Sequence, residues 1–461
     1  MHNDTTHAIR TRAERVAACL LLLALCGWGS GVARAQDPLE PAPLPPPPLD
    51  PPEPAPLAPP PLKTPKAGKP VMPGTMAGRK IGVVLPLSGP HKRLGQVVLD
   101  ALTLARVDLD GPELQVEDSR GREEEARAAV TRLASDPSVV AVLGPLGWKE
   151  SRAAAEQAQE VGVPLVSFSA EHGLEQLGEW VFRARPSMEE EAKAAGEFAL
   201  KDLQVERYAI LHPDDVLGTA AAEVFYEVIR QGGARVTGMS AYKTDDTNLM
   251  WAVEELVGKR GPRLAGRSLA KAPQTRSRPM GGGRDSWVNF HAVFVPDYGD
   301  TVALLTRFMQ FHDIGLAGMG DGPSVQIIGV GLLPSPQLAN ADGLVSGALY
   351  PELFDVTSDH PGVPELAARY RESFGRDMSD VEAHAYDMYR LMLEALVPRE
   401  GPSRRFEPGA EERRALTRRM VEVEPIMGLT GLRWWRPGGA PGHKFEIWVV
   451  DSAGQVSLAL P

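Results

Sequence analysis

Side chains that could carry out chemistry are few in this sequence, and the densest group is a short polar turn. His212 lies close to Asp214 and Asp215, a combination that a metal site or an acid–base pair could use. These residues directly follow the apolar run 208–211, and proline and aspartate are typical of turns at the ends of strands. We therefore interpret the group as a turn rather than as a catalytic site.

Sequence motifs of the common enzyme classes do not occur in the chain. It contains no His-Glu-x-x-His zinc motif, no Gly-x-Ser-x-Gly nucleophile motif and no Gly-x-x-x-x-Gly-Lys phosphate loop. The triplet 281–283 is all glycine, but it lacks the lysine and hydroxyl residue that a phosphate loop requires. We expect a protein that is not an enzyme and that has no catalytic residues, metal ligands or cofactors.

The stretch from Lys80 to Pro90 shows the structural unit from which the folded part is built. Residues 81–85 are apolar without an alternating polar face, which is typical of a strand buried on both faces in a parallel sheet. Apolar residues recur at helical spacing over 94–107. The loop between them lies at the carboxyl end of the strand, where open α/β sheets bind ligands.

Similar units repeat along the chain in two series, and this alternation predicts an α/β fold with parallel sheets. In the first series we predict further strands at 114–117, 139–143, 165–169 and 180–183, and further helices at 122–133, 149–161 and 188–203. In the second we predict strands at 208–211, 236–242, 291–295 and 325–330, and helices at 219–231, 247–257 and 301–314. The remaining predicted elements are a strand at 343–350, helices at 365–374, 381–396 and 410–422, and a terminal strand pair at 432–435 and 445–450.

The two series predict two lobes. We expect the first lobe to contain about residues 79–203 and 331–425, and the second about residues 204–330 and 426–461. Residues 259–287 interrupt the second series with arginine, glycine, proline and serine, which form no core, so we predict a basic insertion there.

The first 35 residues have the pattern of a signal peptide. Arg10, Arg12 and Arg15 precede an apolar run at 16–26 that is too short to span a bilayer stably. Ala33-Arg34-Ala35 then offers a small-x-small cleavage site. We predict export through the inner membrane and a periplasmic location.

A second interpretation of this segment concerns Cys26. The sequence Leu-Ala-Leu-Cys at 23–26 resembles a bacterial lipoprotein box, in which the cysteine is lipidated and tethers the protein to a membrane. A free periplasmic form and a lipid-anchored form both remain open. Residues 36–78 are rich in proline and are expected to form a semi-rigid extended linker.

Composition narrows the class of partner. The chain has 461 residues, 43% of them hydrophobic, which is enough to bury two domain-sized cores. Its 60 acidic and 49 basic side chains give a net charge of −11. Because nucleic-acid-binding domains carry a basic surface, this balance argues against nucleic acid as the main partner.

The order of the predicted elements resembles the type I periplasmic binding proteins, in the branch that binds leucine, isoleucine and valine. The resemblance is carried by the stretches 81–90, 141–146, 162–167, 182–184 and 385–387, and it covers about residues 79–460. It implies two Rossmann-like lobes with parallel sheets, joined by three crossovers, that clamp a small ligand in the cleft between them.

Matching that family's ligand-binding loops to this sequence implies candidate ligand-binding residues on both lobes. They are Ser88, Trp148, Ser151, Ser167, Ser169 and Glu171 in the first lobe, and Leu217, Asp297 and Tyr298 in the second. Trp148 stands where the family has a serine, so it would fill the space of a ligand carboxylate or stack on a ring-bearing ligand. The alternative is an exposed aromatic residue at the start of a helix.

The family also has an acidic residue near 328–332. This sequence lacks it, because residues 328–332 read Ile-Gly-Val-Gly-Leu. A buried ammonium group needs a carboxylate or several acceptors, and Glu171 or Asp297 could provide one. Ser167 and Ser169 have an alternative role, in which their hydroxyl groups bond to nearby backbone at the end of a loop.

Two functions follow from the resemblance. The first is a periplasmic solute-binding protein that delivers an amino acid or related ligand to the permease of an ABC-type transporter. The second is an envelope-tethered regulator whose partner is a cell-wall synthase. This function is implied by a resemblance to penicillin-binding protein activator lipoproteins, which is carried by the proline-rich leader, the Cys26 anchor and Gly144-Pro145-Leu146.

Overall fold

The computed structural model describes residues 78–244, 249–258, 288–318, 324–334, 343–354, 362–397 and 409–459. The predicted signal peptide, the cleavage site, Cys26 and the linker up to residue 77 lie outside these ranges. The predicted basic insertion at 259–287 also lies outside the described residues.

The first sheet consists of parallel strands in the order β2-β1-β3-β4-β5. Its strands are β1 (Lys80–Leu85), β2 (Glu113–Asp118), β3 (Val139–Leu143), β4 (Leu165–Ser167) and β5 (Val181–Arg183). Every residue of β3 is buried, as expected for a strand whose sheet is covered by helices on both faces. The α/β class that the sequence predicts is confirmed.

Three helices alternate with these strands: α1 (Lys92–Asp108), α2 (Glu123–Ser135) and α3 (Trp148–Val161). The local sequence sets the limits of α3. Glu150 accepts a hydrogen bond from the Gly147 amide at 2.8 Å, which satisfies a free donor at the start of the helix. Gly162 ends the helix in the left-handed conformation at φ 68°, which a glycine adopts without strain.

The second sheet has the order β15-β14-β10-β9-β8-β6-β7. Its parallel strands are β6 (Arg207–Pro213), β7 (Arg235–Tyr242), β8 (Ala292–Phe294), β9 (Gln326–Ile328) and β10 (Leu349–Glu352). The antiparallel strands β14 (Glu446–Val450) and β15 (Val456–Leu458) complete one edge. Its helices are α4 (Met188–Phe198), α5 (Val216–Gln231), α6 (Met250–Leu256) and α7 (Gly299–Phe311).

The chain returns to the first lobe with α8 (Val363–Phe374), α9 (Asp380–Leu396) and α10 (Ala410–Glu422). These helices share a core with β1 and α1. A small antiparallel sheet follows, made of β11 (Ile426–Gly428), β12 (Gly431–Trp435) and β13 (Pro441–Gly442). Trp435 packs edge-on against Phe182 of β5, with ring centroids 5.5 Å apart, so this sheet also belongs to the first lobe.

Successive described elements change lobe three times along the chain, between β5 and α4, between β10 and α8, and between β13 and β14. The first turn of α4 touches the carboxyl ends of both sheets. Glu190 pairs with Arg183 at the end of β5 at 2.9 Å, and Glu191 accepts from the Gly331 amide, just after β9, at 2.9 Å. The two carboxyl edges thus meet at the crossings, as a two-lobed cleft requires.

The predicted lobe boundaries need correction. Helix α4 was predicted in the first lobe, but its alanines share a core with Tyr208 and Phe225 of the second lobe. Strand β10 lies in the second sheet, although residues 331–425 were predicted to be in the first lobe. The segment 426–442 belongs to the first lobe, because Trp435 lies in its core. These errors share one cause. A buried apolar face looks the same in sequence whichever lobe covers it.

The strand predicted at 343–350 is also shorter than expected. Residues 343–347 form turns, and β10 begins only at Leu349. Gly343 and Gly347 adopt φ angles of 70° and 79°, which are incompatible with an extended strand. The apolar residues between these glycines are buried in the second-lobe core without forming a ladder.

Candidate functional site

Both sheets have a topological switch point at their carboxyl edge. In the first sheet the strand order reverses between β1 and β3, and in the second between β6 and β8. Open α/β sheets bind ligands at such points, where the loops from neighbouring strands lead away in opposite directions. The loops after β1, β3, β6 and β8 are therefore the candidate walls of a ligand cleft.

Ser88 lies in the loop after β1, and its hydroxyl group holds that loop in place. Ser88 Oγ donates to Asp118 Oδ2 at 2.6 Å, and the amides of Leu87 and Arg120 donate to Asp118 Oδ1 at 2.9 and 2.8 Å. Partial burial disfavours the charge of Asp118, but these hydrogen bonds outweigh it and lower its pKa below the usual range. Ser88 thus ties the loops after β1 and β2 together.

The two candidates on α3 lie in opposite environments. Trp148, the first residue of the helix, is exposed to solvent. Ser151 is fully buried one turn later, and its hydroxyl group has no hydrogen-bond partner in the part of the chain that the structure describes. Because Ser151 faces the protein interior, the hydroxyl that the sequence offered for a ligand carboxylate is not presented to solvent.

The loop after β4 is held by its own side chains. Ser167 Oγ accepts a hydrogen bond from the Ser169 amide at 3.1 Å, and Ser169 Oγ accepts one from the Glu171 amide at 3.2 Å. Arg152 of α3 donates from Nε to Glu171 Oε1 at 3.0 Å. The charge of Glu171, which was a candidate partner for an ammonium group, is therefore compensated within the protein.

The second-lobe candidates surround the loops after β6 and β8. Asp297 accepts from the Tyr242 hydroxyl at 2.8 Å and from the Tyr298 amide at 2.7 Å. Burial raises the pKa of Asp297, and the nearby charges of Asp215 and Asp300 act in the same direction, although the two hydrogen bonds oppose them. Tyr298 and Leu217, at the starts of α7 and α5, are exposed.

Sequence reasoning missed an acidic pair that converges on the loop after β9. Glu191 of α4 accepts from the Gly331 amide at 2.9 Å, and Glu352 at the end of β10 accepts from the Leu353 amide at 2.7 Å. A Cβ atom at Gly331 would lie 2.7 Å from Glu352 Oε2 and 3.3 Å from Glu191 Oε2, so both carboxyl groups occupy the space beside this glycine. The carboxyl groups beside the loop at 328–332 thus come from two other elements, α4 and β10.

The environment of this pair disfavours two negative charges. Burial raises the pKa of Glu191, and burial together with the charge of Glu191 raises the pKa of Glu352. Arg185, in the first crossing, opposes both shifts. No local spacing could have revealed the pair, because Glu191 and Glu352 are far apart in the chain.

An ionic cluster fixes the first crossing beside the acidic pair. Arg183 is fully buried and donates to Glu175 and Glu190 at 2.9 Å each. Glu190 also accepts from the Ser187 amide at 2.9 Å, which caps the start of α4. One buried guanidinium group therefore connects the end of β5 with the first helix of the second lobe.

Among the described residues, no helix has the length and apolar character needed to cross a bilayer. Within the same residues, no group of three or more His, Cys, Asp and Glu side chains is arranged to hold a metal ion. His212 is buried and lies in strand β6, together with Pro213, rather than in the turn predicted at 212–215. Its Nδ1 lies 2.8 Å from the Pro213 carbonyl oxygen.

Comparison with known proteins agrees with this architecture. The family model described as periplasmic binding protein matches residues 79–455, and the chain belongs to this family. The protein is thus related to binding proteins rather than to enzymes, and its family is periplasmic. No match was found among curated proteins.

Solved structures of the same fold cover most of the chain. A protein from Rhodospirillum rubrum designated a branched-chain amino acid ABC transporter is 21% identical, with a TM-score of 0.67, over 82% of this chain and 99% of that chain. LivJ from Streptococcus pneumoniae, in complex with isoleucine, is 18% identical, with a TM-score of 0.57, over 83% and 99%. A solute-binding protein from Rhodopseudomonas palustris, in complex with 3,4-dihydroxybenzoic acid, is 15% identical, with a TM-score of 0.56, over 81% and 93%. At these identities the likeness establishes the fold.

Proposed function

We propose that this protein is the solute-binding component of an ABC-type transporter, and that it clamps a small ligand between its two lobes. The observation that carries the proposal is the meeting of the two carboxyl edges at the first turn of α4. We infer from this meeting that both switch points face one cleft. Membership of the periplasmic binding protein family supports the same role.

The three crossings supply the mechanism of such a clamp. Ligand bound to one lobe stabilises the closed form only to the extent that it gains contacts from the other lobe. The connections between β5 and α4 and between β13 and β14 are only a few residues long, so rotation about them can move the lobes as rigid bodies. Delivery to a permease then depends on recognition of the closed form.

The sequence also suggested a tethered regulator of a cell-wall synthase. The observations on the described residues do not favour it, and the structural neighbours that name a function are transport proteins. We retain the Cys26 tether as a proposal about attachment, since a solute-binding protein can act while anchored to the membrane. Mass spectrometry of the N-terminus of the mature protein would decide between cleavage after Ala35 and lipidation.

A thermal-shift screen of the mature protein tests the proposed function. The panel contains amino acids, small peptides, nucleosides, muropeptides and aromatic acids. A ligand that binds only the folded state at 100 times its Kd adds about 2.7 kcal/mol of stability. We expect at least one class to raise the Tm saturably and to reduce the radius of gyration in small-angle X-ray scattering. A flat screen on well-folded protein, with capture of a cell-wall synthase, would overturn the proposal.

A further inference from the structure

Exposed large apolar side chains concentrate at the two switch points. Among the described residues, five of the nine such side chains lie there. They are Leu94, Trp148, Val216, Leu217 and Tyr298. The others, Val116, Phe311, Met427 and Leu458, are scattered over the rest of the surface. Single exposed apolar residues need no explanation, but their concentration beside the carboxyl ends of four strands marks a binding surface.

The first-lobe part of this surface is built on the helices that follow β1 and β3. Trp148 is 59% exposed as the first residue of α3, and Leu94 is 42% exposed in the first turn of α1. These helices start on either side of the switch point of the first sheet. The Trp148 ring therefore offers a large flat apolar face to a ligand in the cleft.

The second-lobe part is built in the same way on the helices that follow β6 and β8. Val216 and Leu217 are 77% and 51% exposed as the first residues of α5, and Tyr298 is 58% exposed immediately before α7. These helices flank the switch point of the second sheet. Each lobe thus presents one aromatic ring and at least one aliphatic side chain at its switch point.

Most polar groups beside these side chains bond within the protein, whereas the Ser151 hydroxyl and Glu171 Oε2 are buried without a hydrogen-bond partner among the described residues. Glu171 is paired with Arg152, Asp297 accepts two hydrogen bonds, and the hydroxyl groups of Ser167 and Ser169 bond to backbone. The exposed Asp214 at the end of β6 remains surrounded by water, and such a carboxylate contributes little to binding. Selectivity must then come mainly from the apolar contacts.

We infer that the ligand of this cleft has a flat, ring-bearing body, which closure places between Trp148 of the first lobe and Tyr298 of the second. This inference rests on the proposed function and names the ligand class for the same cleft. Aromatic rings gain binding energy from offset stacking or edge-to-face contact with aromatic side chains, beyond the burial of their area. A branched aliphatic ligand of similar size lacks this gain, so the cleft should prefer rings.

Four probes in two matched pairs test the inference by isothermal titration with the mature protein. Phenylalanine and leucine differ in the ring, and 3-phenylpropanoate and 4-methylpentanoate repeat that difference without the ammonium group. We expect the ring-bearing member of each pair that binds to have about tenfold higher affinity. Trp148→Ala should abolish this preference, and Trp148→Phe should retain most of it.

Phe311→Ala is the matched control, because Phe311 is an exposed aromatic residue at the end of α7, away from the switch points. This variant should leave all four affinities unchanged. Equal or tighter binding of leucine or 4-methylpentanoate would overturn the inference while leaving the solute-binding proposal intact. Failure of all four probes to bind would also overturn it, and the wider thermal-shift panel would then judge the proposed function separately.

Discussion

The two switch points share a topology but differ in how their loops are held and charged. In the first lobe, Asp118 binds the loops after β1 and β2 through its charge, and an Arg152–Glu171 pair fixes the loop after β4. In the second lobe, Asp297 is buried in an environment that disfavours its charge. The first lobe is therefore a preorganised platform, whereas the second lobe carries carboxylates under mutual repulsion.

The exposed charges around the apolar residues also differ between the two switch points. Lys92, Arg93 and Lys149 are exposed beside the first switch point, and Asp214 and Asp300 are exposed beside the second. Opposite charges on facing surfaces attract and steer approach more than they add affinity. In the proposed closure, a basic surface of the first lobe would approach an acidic surface of the second, with an aromatic ring on each.

The largest effect is expected where the two regions are joined. Arg183→Met removes the buried guanidinium group, which leaves Glu175 without this partner and Glu190 with only the more distant Arg436, at 3.9 Å. Breaking a buried pair in this way typically costs about 3–5 kcal/mol, which urea denaturation would measure. Arg132→Met is the control, because its pair with Glu117 is exposed and is expected to contribute about 0–1 kcal/mol. Equal costs for both variants would show that the crossing does not depend on this cluster.

A paired substitution tests the difference between the lobes directly. Asp118→Asn weakens charged hydrogen bonds to Ser88 and two amides, and we expect a loss of about 1–2 kcal/mol because Asp118 is only partly buried. Asp297→Asn keeps an acceptor for the Tyr242 hydroxyl and removes a disfavoured charge, so the free energy of unfolding should change by less than about 0.5 kcal/mol. A larger loss for Asp297→Asn than for Asp118→Asn would reverse the comparison.

The second-lobe carboxylates also predict a pH dependence. The pKa of Glu352 is raised to about 8, because it is buried beside Glu191. A carboxyl group with a raised folded-state pKa stabilises the fold most below its unfolded pKa of about 4.3, and this contribution is lost as the pH rises through its folded pKa. The Tm of the wild-type protein should therefore fall between about pH 5 and pH 8, and Glu352→Gln should reduce that fall.

Glu197 of α4 is the control, because its side chain and that of its partner Lys193, 3.8 Å away, are both exposed, and Glu197→Gln should leave the pH profile unchanged. An unchanged profile in Glu352→Gln would show that the carboxyl pair does not share a proton in the folded protein.

The smallest effect concerns the exposed charges. Lys149→Glu reverses one charge of the first-lobe surface, and we expect slower association of the anionic 3-phenylpropanoate at low salt with little change in stability. The difference from the wild-type rate should disappear at high salt, because screening removes interactions between exposed charges. A rate difference that persists at high salt would place Lys149 in direct contact with the ligand instead, and stopped-flow fluorescence would measure it.

Sequence periodicity predicted the fold well and the site only partly. The apolar runs at β1 and β3 identify buried parallel strands because both of their faces are covered. The lobe membership of α4 and β10 could not be predicted, since a buried helix face or strand carries no mark of its partner. For the same reason the convergence of Glu191 and Glu352 was hidden, because it depends on contacts between residues far apart in the chain.

The side chains of the site show the same limit. Ser88 and Ser169 lie in loops at the carboxyl edge, and Ser167 is the last residue of β4 at the same edge, so the strand predicted at 165–169 ends two residues early. The sequence could not reveal that Ser151 is buried or that Arg152 compensates Glu171, because both depend on how α3 is rotated against the sheet. The sequence left two alternatives for Trp148, a contact with the ligand or an exposed position at the start of a helix. Only the position of the helix start decides between them.

Measurement of the distance between the two switch points tests the central claim most directly. Both cysteines of the chain lie before residue 35, so spin labels at Lys149→Cys and Asp300→Cys would be unique in a protein cleaved after Ala35. Double electron–electron resonance with 3-phenylpropanoate or phenylalanine should show a shorter distance, while labels at Lys149→Cys and Arg132→Cys within the first lobe should show no change. A saturated complex in which the distance between the lobes stays the same would contradict the clamp.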